Sequence, residues 1–215
     1  MSDLILRQFE IGPMENFSYL LGDAQSRQAL VVDPAWEIDT IFKQAEKADL
    51  EIVGALVSHH HYDHTNGIGE LLERKEVPVY VNKNDLPFIK FAPASSLTAV
   101  DHGQKIKVGN TEIELIHTPG HTPGSQCFRV QGNLISGDTL FINGCGRCDL
   151  PGGNAEEMYY SLTQKLMRLP EDTILFPGHN YGAVPSASLG EQKKENPYLR
   201  LASLSLKDFL RMRVG

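Results

Sequence analysis

The sequence predicts an α/β sandwich in which helices lie on the outer faces of two mixed β-sheets. Short strand-like runs and amphipathic helical segments are mixed in each of two successive halves of the chain, which favours this class. No repeat, low-complexity tract or linker interrupts the pattern. The 215 residues, 41% hydrophobic and 22% charged, have an ordinary globular composition. We therefore expect a single domain over residues 1–215.

In the first half, three predicted strands are followed by helices and strands in alternation. Each strand is short, rich in β-branched or aromatic residues, and closed by Gly, Asp or Pro. Ile38, Ile41, Phe42 and Ala45 recur at helical spacing, which predicts an amphipathic helix. The predicted elements are strands at 4–9, 16–21, 28–33, 53–58 and 77–81, and helices at 37–50 and 67–76.

The second half opens with a predicted loop over 92–103 and continues as a run of strands with tight turns. The following helix has Asn154 as its expected N-cap and acidic residues in its first turn. The predicted elements are strands at 105–109, 111–117, 125–130, 133–136 and 173–177, and helices at 154–169, 186–195 and 204–212.

Charge and composition exclude several classes of function. The net charge of −7 argues against a nucleic-acid partner, because phosphate binding needs clustered Lys and Arg. No run of about 18 apolar residues occurs, so a membrane span is not expected. The first residues lack the basic and apolar regions of a signal peptide. Three cysteines argue against a disulfide framework and favour a cytoplasmic location.

Four of the eight histidines lie within the heptapeptide SHHHYDH at residues 58–64. Imidazole nitrogens and carboxylate oxygens are common metal ligands, so this cluster predicts a metal site. Because side chains alternate along an extended segment, His59 and His61 should point the same way and His60 away from them. Asp63 and His64 follow where the chain turns toward the next helix. His60 is expected to be structural.

Three further residues of the same chemistry follow predicted strands, each beside a glycine. They are His121 in TPGHTPGS, Asp138 in SGDTLF and His179 in FPGHNYG. Turns at strand ends are where a rigid scaffold displays functional groups. With these three, five histidines and two aspartates are available, which exceeds the four ligands that usually close a structural zinc site.

Such a ligand set is typical of a centre with two divalent metal ions. We assign His59, His61 and His121 to one ion and Asp63, His64 and His179 to the other. Asp138 can bridge them, because a carboxylate has two oxygens. A purely structural metal module is the non-enzymatic alternative, and it would have four closed ligands.

The motif H-x-H-x-D-H, with the later His121, the Asp of GDT and the His of PGH, resembles the signature of the metallo-β-lactamase superfamily. The resemblance extends from about residue 14 to 200 and implies a metallo-β-lactamase-type αβ/βα sandwich. It implies the same ligand assignment, with zinc expected and iron or manganese as alternatives. Within the superfamily, SHHHYDHTNG and GDTLFINGCG resemble glyoxalase II, the hydroxyacylglutathione hydrolases.

This resemblance implies a cytoplasmic enzyme that hydrolyses glutathione thioesters with a metal-bridging hydroxide, which Asp63 would orient as the catalytic residue. Arg147 and Tyr181 occupy positions that contact glutathione in that family. The segment GCGRCD also resembles the persulfide dioxygenases, so an iron-dependent dioxygenase acting on glutathione persulfide is the alternative. Cys145 and Cys148 form a CxxC pair, but no thioredoxin-like arrangement surrounds it.

Overall fold

The computed structural model describes residues 3–90 and 92–214. The strands are β1 (Leu4–Ile11), β2 (Asn16–Asp23), β3 (Gln28–Val32), β4 (Glu51–Leu56), β5 (Val79–Asn82), β6 (Leu97–Val100), β7 (Lys105–Val108), β8 (Thr111–His117), β9 (Gln126–Val130), β10 (Asn133–Gly137), β11 (Leu140–Phe141), β12 (Gly144–Cys145), β13 (Ile174–Pro177) and β14 (Ala187–Ser188). The helices are α1 (Ile38–Lys47), α2 (Tyr62–Thr65), α3 (Ile68–Arg74), α4 (Ala155–Gln164), α5 (Leu189–Glu195), α6 (Pro197–Leu204) and α7 (Leu206–Val214). Short 3-10 turns lie at Leu86–Phe88, Ala94–Ser96 and Leu166–Arg168.

Two six-stranded mixed sheets form the centre of the fold. The first has the order β1-β2-β3-β4-β5-β6, antiparallel through β3 and parallel from β3 onward. The second has the order β14-β13-β10-β9-β8-β7, in which only β10 and β13 are parallel neighbours. The predicted sandwich of two mixed sheets with outer helices is therefore confirmed.

Three layers of apolar side chains hold the sandwich together, and β2 belongs to two of them. Because side chains alternate along a strand, Leu20 packs toward α1 and α3, whereas Tyr19 and Leu21 pack between the sheets. A third layer joins the second sheet to the C-terminal helices and includes Leu134, Met158, Leu162, Leu175, Leu199 and Phe209. The central strands are buried on both faces, which explains their nearly continuous apolar sequences.

Several predicted boundaries differ from the structure. Residues 92–103, predicted as a loop, contain the edge strand β6, which pairs in parallel with β5. The predicted helix at 154–169 ends at Gln164 and continues as a 3-10 turn. Asn154 does cap it, since its side chain accepts hydrogen bonds from the N–H groups of Glu156 and Glu157. The helices α2 and α6 and the β11–β12 hairpin were not predicted.

Within the described residues, no helix is both long enough and apolar enough to cross a membrane. The expected domain over residues 1–215 includes Met1, Ser2, Phe91 and Gly215, which lie outside the described residues. The single-domain assignment therefore stays a prediction.

Candidate metal centre

The loops that follow β4, β8, β10 and β13 meet at one edge of the sandwich and carry all seven predicted ligands. His59, His61, Asp63 and His64 follow β4, and His121, Asp138 and His179 follow the other three strands. Backbone contacts join the two sheets here: the Gln126 N–H donates to the carbonyl of Ser58 at 2.9 Å, and Phe17 N–H to the carbonyl of Gly178 at 2.8 Å. The two sheets are therefore hydrogen-bonded to each other at this edge.

His59, His61 and His121 form the first group. One potential ligand atom from each lies within 4.8 Å of the others. The ring centroid of His59 lies 4.7 Å from that of His61 and 4.8 Å from that of His121. His59 and His121 are buried and His61 is half-buried. This geometry can hold one metal ion from three sides.

Asp63, His64 and His179 form the second group, also within 4.8 Å of one another. His64 Nε2 lies 3.2 Å from His179 Nε2 and 3.4 Å from Asp63 Oδ2. The short helix α2 places Asp63 and His64 on adjacent positions of one turn. This turn is what brings them to face His179.

The carboxylate of Asp138 lies between the two groups. Its Oδ2 is 3.5 Å from His121 Nε2 of the first group and 3.4 Å from His179 Nε2 of the second. Its Oδ1 is 3.4 Å from His64 Nε2. The lack of a side chain at Gly178 leaves room for the Asp138 carboxylate, because a Cβ at residue 178 would lie only 2.4 Å from Asp138 Oδ1.

The polar atoms of the cluster fit a cation. Among the described residues, His59 Nε2, His121 Nε2 and Asp138 Oδ1 are buried without a hydrogen-bond partner. Buried polar atoms are usually paired, because leaving them unpaired costs about 1–3 kcal/mol each. Nitrogen and carboxylate oxygen donors pointing into one space supply the ligands that a divalent ion needs.

The electrostatics of the two groups differ. Burial and the neighbouring His64 lower the pKa of His59 well below its usual range. Burial and His121 lower the pKa of His61 to about 4. These rings are therefore neutral at pH 7, which is the form that binds metal.

In the second group, neighbouring carboxylates outweigh burial and raise the pKa values of the histidines. Burial lowers the pKa of His179, but Asp138 and Asp63 outweigh it and raise the pKa to about 9. Asp138 and Asp33 likewise raise the pKa of His64 above its usual range, against the effect of burial. Burial raises the pKa of Asp138, yet the charges of His64 and His179 bring it to about 2. In the metal-free protein these carboxylates thus favour the protonated form of the facing imidazoles.

Asp33, which the sequence analysis did not identify, orients a histidine in each group. Its Oδ2 lies 3.0 Å from His64 Nδ1 and accepts a hydrogen bond of 2.7 Å from Ser58 Oγ. Ser58 Oγ in turn lies 3.0 Å from His59 Nδ1. Metal-binding histidines commonly donate their second ring N–H to such groups. The position of Asp33 directly after a buried strand is the sequence feature that could have identified it as a site residue.

Asn16 and Trp36 hold Asp63. The Asn16 amide donates to Asp63 Oδ2 at 3.0 Å, and the Trp36 indole N–H donates to Asn16 Oδ1 at 3.1 Å. The indole contact fixes which end of the amide faces the carboxylate, because indole can only donate. Nothing in the local sequence of Asn16 indicated this role.

Asp85 joins the loop of His59 and His61 to the loop of His121. Its fully buried carboxylate accepts from the backbone N–H of His60 at 2.8 Å, from Thr122 Oγ1 at 2.7 Å and from the N–H of Gly124 at 2.6 Å. His60 is directed at this carboxylate, with its Nδ1 3.0 Å from Asp85 Oδ2. The Asp85 carboxylate therefore links the two loops that carry the ligands of the first group.

The predicted substrate contacts lie beside the cluster. Tyr181 is exposed, and its ring stacks on His179 at 4.6 Å with an interplanar angle of 10°. The exposed guanidinium of Arg147 forms two hydrogen bonds to Asp149, at 2.8 and 2.7 Å. The backbone carbonyl of Arg147 lies 2.7 Å from His121 Nδ1 and so orients a cluster histidine. That second role was not predicted.

Together, the fold and this edge define a class of metalloproteins, αβ/βα sandwiches with a divalent-metal site built from histidine and aspartate. Residues 11–179 match the metallo-beta-lactamase superfamily, and the chain belongs to that superfamily.

Relatives within the superfamily have different activities. The chain is 33% identical over 186 residues to the probable polyketide biosynthesis zinc-dependent hydrolase PksB of Bacillus subtilis, covering 86% of this chain and 82% of PksB. It is 36% identical over 179 residues to the probable hydroxyacylglutathione hydrolase glo2 of Schizosaccharomyces pombe, covering 79% and 66%. It is 32% identical over 212 residues to the human mitochondrial persulfide dioxygenase ETHE1, covering 97% and 80%.

Among solved structures, ETHE1 from Myxococcus xanthus superposes with a TM-score of 0.88 at 32% identity, covering 98% of this chain and 90% of that one. These comparisons support an enzyme of a metallo-hydrolase superfamily with a divalent-metal site. They include both hydrolases and a dioxygenase.

Proposed function

We propose that the protein hydrolyses glutathione thioesters, with hydroxyacylglutathiones as the first substrates to test. The observation that carries this proposal is the division of the seven residues into two groups with Asp138 between them. Three ligands suffice for one mononuclear centre, so seven converging side chains favour two ions. Zinc is the proposed metal because the ligands are nitrogen and oxygen donors, and iron and manganese are the alternatives.

Divalent ions in such a site supply a Lewis acid for the thioester carbonyl and a nucleophile from water at neutral pH. Asp63 is the proposed catalytic residue: one oxygen is held by Asn16, and the carboxylate can orient the attacking water. The water oxygen bonds to the acyl carbon and the carbon–sulfur bond breaks; one water proton leaves with the thiol and the other stays with the carboxylic acid product.

Arg147 and Tyr181 are the proposed glutathione contacts. Tyr181 stacks on His179, so a substrate held by its hydroxyl would lie close to the second group. Arg147 lies on the segment whose carbonyl orients His121. Its guanidinium can form a bidentate bond with a glutathione carboxylate, in place of the one it forms with Asp149.

A persulfide dioxygenase is the second candidate. One observation favours it: His59, His64 and Asp138 also have ligand atoms within 4.8 Å of one another, which is a two-histidine, one-carboxylate set suited to a single iron. The Arg147–Asp149 pair corresponds to the Arg-x-Asp sequence that resembles the dioxygenases.

Metal analysis of the purified protein, followed by two assays, tests the proposal. Hydrolysis predicts two ions per chain and release of thiol from a hydroxyacylglutathione without oxygen uptake. A single iron together with oxygen consumption on glutathione persulfide would replace the hydrolase with the dioxygenase. Protein with two ions and activity on neither substrate would refute both.

A further inference from the structure

We propose that the thioester substrate carries an apolar acyl group, which packs against Phe88 and Tyr62 at the mouth of the metal centre. This inference rests on the proposed thioester hydrolysis and specifies its substrate class.

Exposed apolar side chains are concentrated at this mouth. Eight large apolar or aromatic side chains are exposed among the described residues, and four of them belong to segments that carry or contact the cluster: Met14 (46%), Tyr62 (57%), Phe88 (47%) and Tyr181 (56%). Single exposed apolar residues are normal on any surface. Their grouping around one polar centre indicates a binding surface.

Each of the four is tied to a residue of the metal-centre loops. The Phe88 ring lies 4.7 Å from the His60 ring, and Tyr62 stands between His61 and Asp63 in the sequence. The carbonyl of Met14 lies 2.9 Å from His179 Nδ1. Tyr181 stacks on His179. The His60 ring in turn lies 5.0 Å from the ring of His61, so we expect the substituents of a carbonyl at the cluster to reach the rings of Phe88 and Tyr62.

The two ends of the substrate can be assigned to different sides. Arg147 and Tyr181 are the proposed contacts of the glutathione portion, so the acyl portion extends toward the other exposed rings. Tyr62 presents a firm apolar surface there, because its ring packs edge-on against Trp36 at 5.6 Å. Phe88 is placed by the turn after Asp85, whose carboxylate is anchored in the site.

A fatty or aromatic acyl chain is the chemistry that suits these exposed rings, because contact between them removes apolar surface on both partners from water.

Binding of two non-hydrolysable thioethers, S-methylglutathione and S-hexylglutathione, tests the inference independently of catalysis. Burying one methylene favours binding by about fourfold, so burying about half of the added chain predicts roughly a 30-fold lower Kd for the hexyl compound. Calorimetry should also give a more negative heat-capacity change for it. Equal Kd values would refute the apolar acyl group and leave the hydrolase proposal standing.

Variants locate the contact. Phe88→Ala should lower the hexyl preference about three- to tenfold, Phe88→Leu should retain most of it, and Tyr160→Ala on α4 should not change it. Tyr62→Ala, checked for unchanged metal content, is the second test. A full preference in both alanine variants would overturn the assignment to these rings. If neither thioether binds and S-lactoylglutathione is not hydrolysed, the proposed function fails and this inference with it.

Discussion

Replacing Asp85 with Asn tests whether a buried anion positions the metal ligands. The carboxylate accepts two hydrogen bonds on Oδ2, from the His60 N–H and from Thr122 Oγ1, and one on Oδ1 from the Gly124 N–H. An amide oriented to keep the first two bonds would place its own NH₂ group against the Gly124 N–H. A hydrogen bond to a charged group contributes about 1.5–3 kcal/mol, so the free energy of unfolding should fall by about that amount.

The effect on metal binding should be larger at the first group than at the second. His60 lies between His59 and His61, and Thr122 follows His121, so Asp85 restrains all three ligands of the first group. Losing such an outer contact typically weakens metal binding tenfold to a hundredfold. Titration of the metal-free protein against a competing chelator would measure this, with urea unfolding for stability.

Asp23→Asn is the matched control. Asp23 is also buried and accepts hydrogen bonds from Ser26 N–H at 2.8 Å and Thr111 Oγ1 at 3.2 Å, but it joins hairpins outside the cluster. This variant should lose stability and keep its metal affinity. Unchanged metal affinity in Asp85→Asn, or an equal loss in both variants, would refute the positioning role.

The difference in stability between the parent protein and Asp85→Asn should also depend on pH. Burial raises the pKa of Asp85, but hydrogen bonds from His60 and Thr122 lower it below its usual range. Its ionised form therefore stabilises the fold above the unfolded pKa of about 4, and that contribution disappears as the pH falls through the folded pKa. The advantage of the parent protein over Asp85→Asn should shrink below about pH 4.

Three other predictions concern the centre directly. Asp138→Ala should lose metal from both groups, as measured by elemental analysis; two retained ions with near-normal turnover would exclude a bridging role. Arg147→Ala should lower kcat/KM on glutathione thioesters about tenfold to a hundredfold, mainly through KM, because a charged bond is lost. Its metal content should not change, since the carbonyl that orients His121 remains; an equal loss on a small uncharged thioester would contradict glutathione binding. Metal uptake by the metal-free protein near pH 7 should release protons, because the pKa of His179 is about 9 and ligation needs neutral imidazole. Calorimetry in two buffers of different ionisation enthalpy would detect the release, which should diminish above about pH 9.

Local sequence was enough to identify the seven ligand candidates. Each is a histidine or aspartate at or just beyond the end of a strand, and four of them share one short segment. Strand ends are readable because apolar runs stop where the chain leaves the core. Asn154 was readable as a cap for a similar reason, since an N-cap bonds to backbone only two or three residues away.

Elements at the edges of the fold were harder to predict from the sequence. The strand β6 has a partly exposed LTAV sequence without a continuous apolar run, and its hydrogen bonds come from β5. The helix α6 begins at Pro197 and is capped by Asn196. The Asn-Pro pair that starts this helix can be recognised in the sequence, but the segment is too short to show a clear helical repeat of apolar residues.

The sequence by itself determined the sandwich class and which residues converge, because both depend on local patterns of burial and on chemistry at strand ends. Only the tertiary structure decided how those residues are held. Asp33 reaches His64 across 31 positions, Met14 reaches His179 across 165, and Asp85 reaches Gly124 across 39. The guanidinium of Arg147 is paired with Asp149 while its carbonyl serves His121. A hydrogen bond acts over about 3 Å, so its partner is set by which loops the packed sheets bring together, and no local pattern records that.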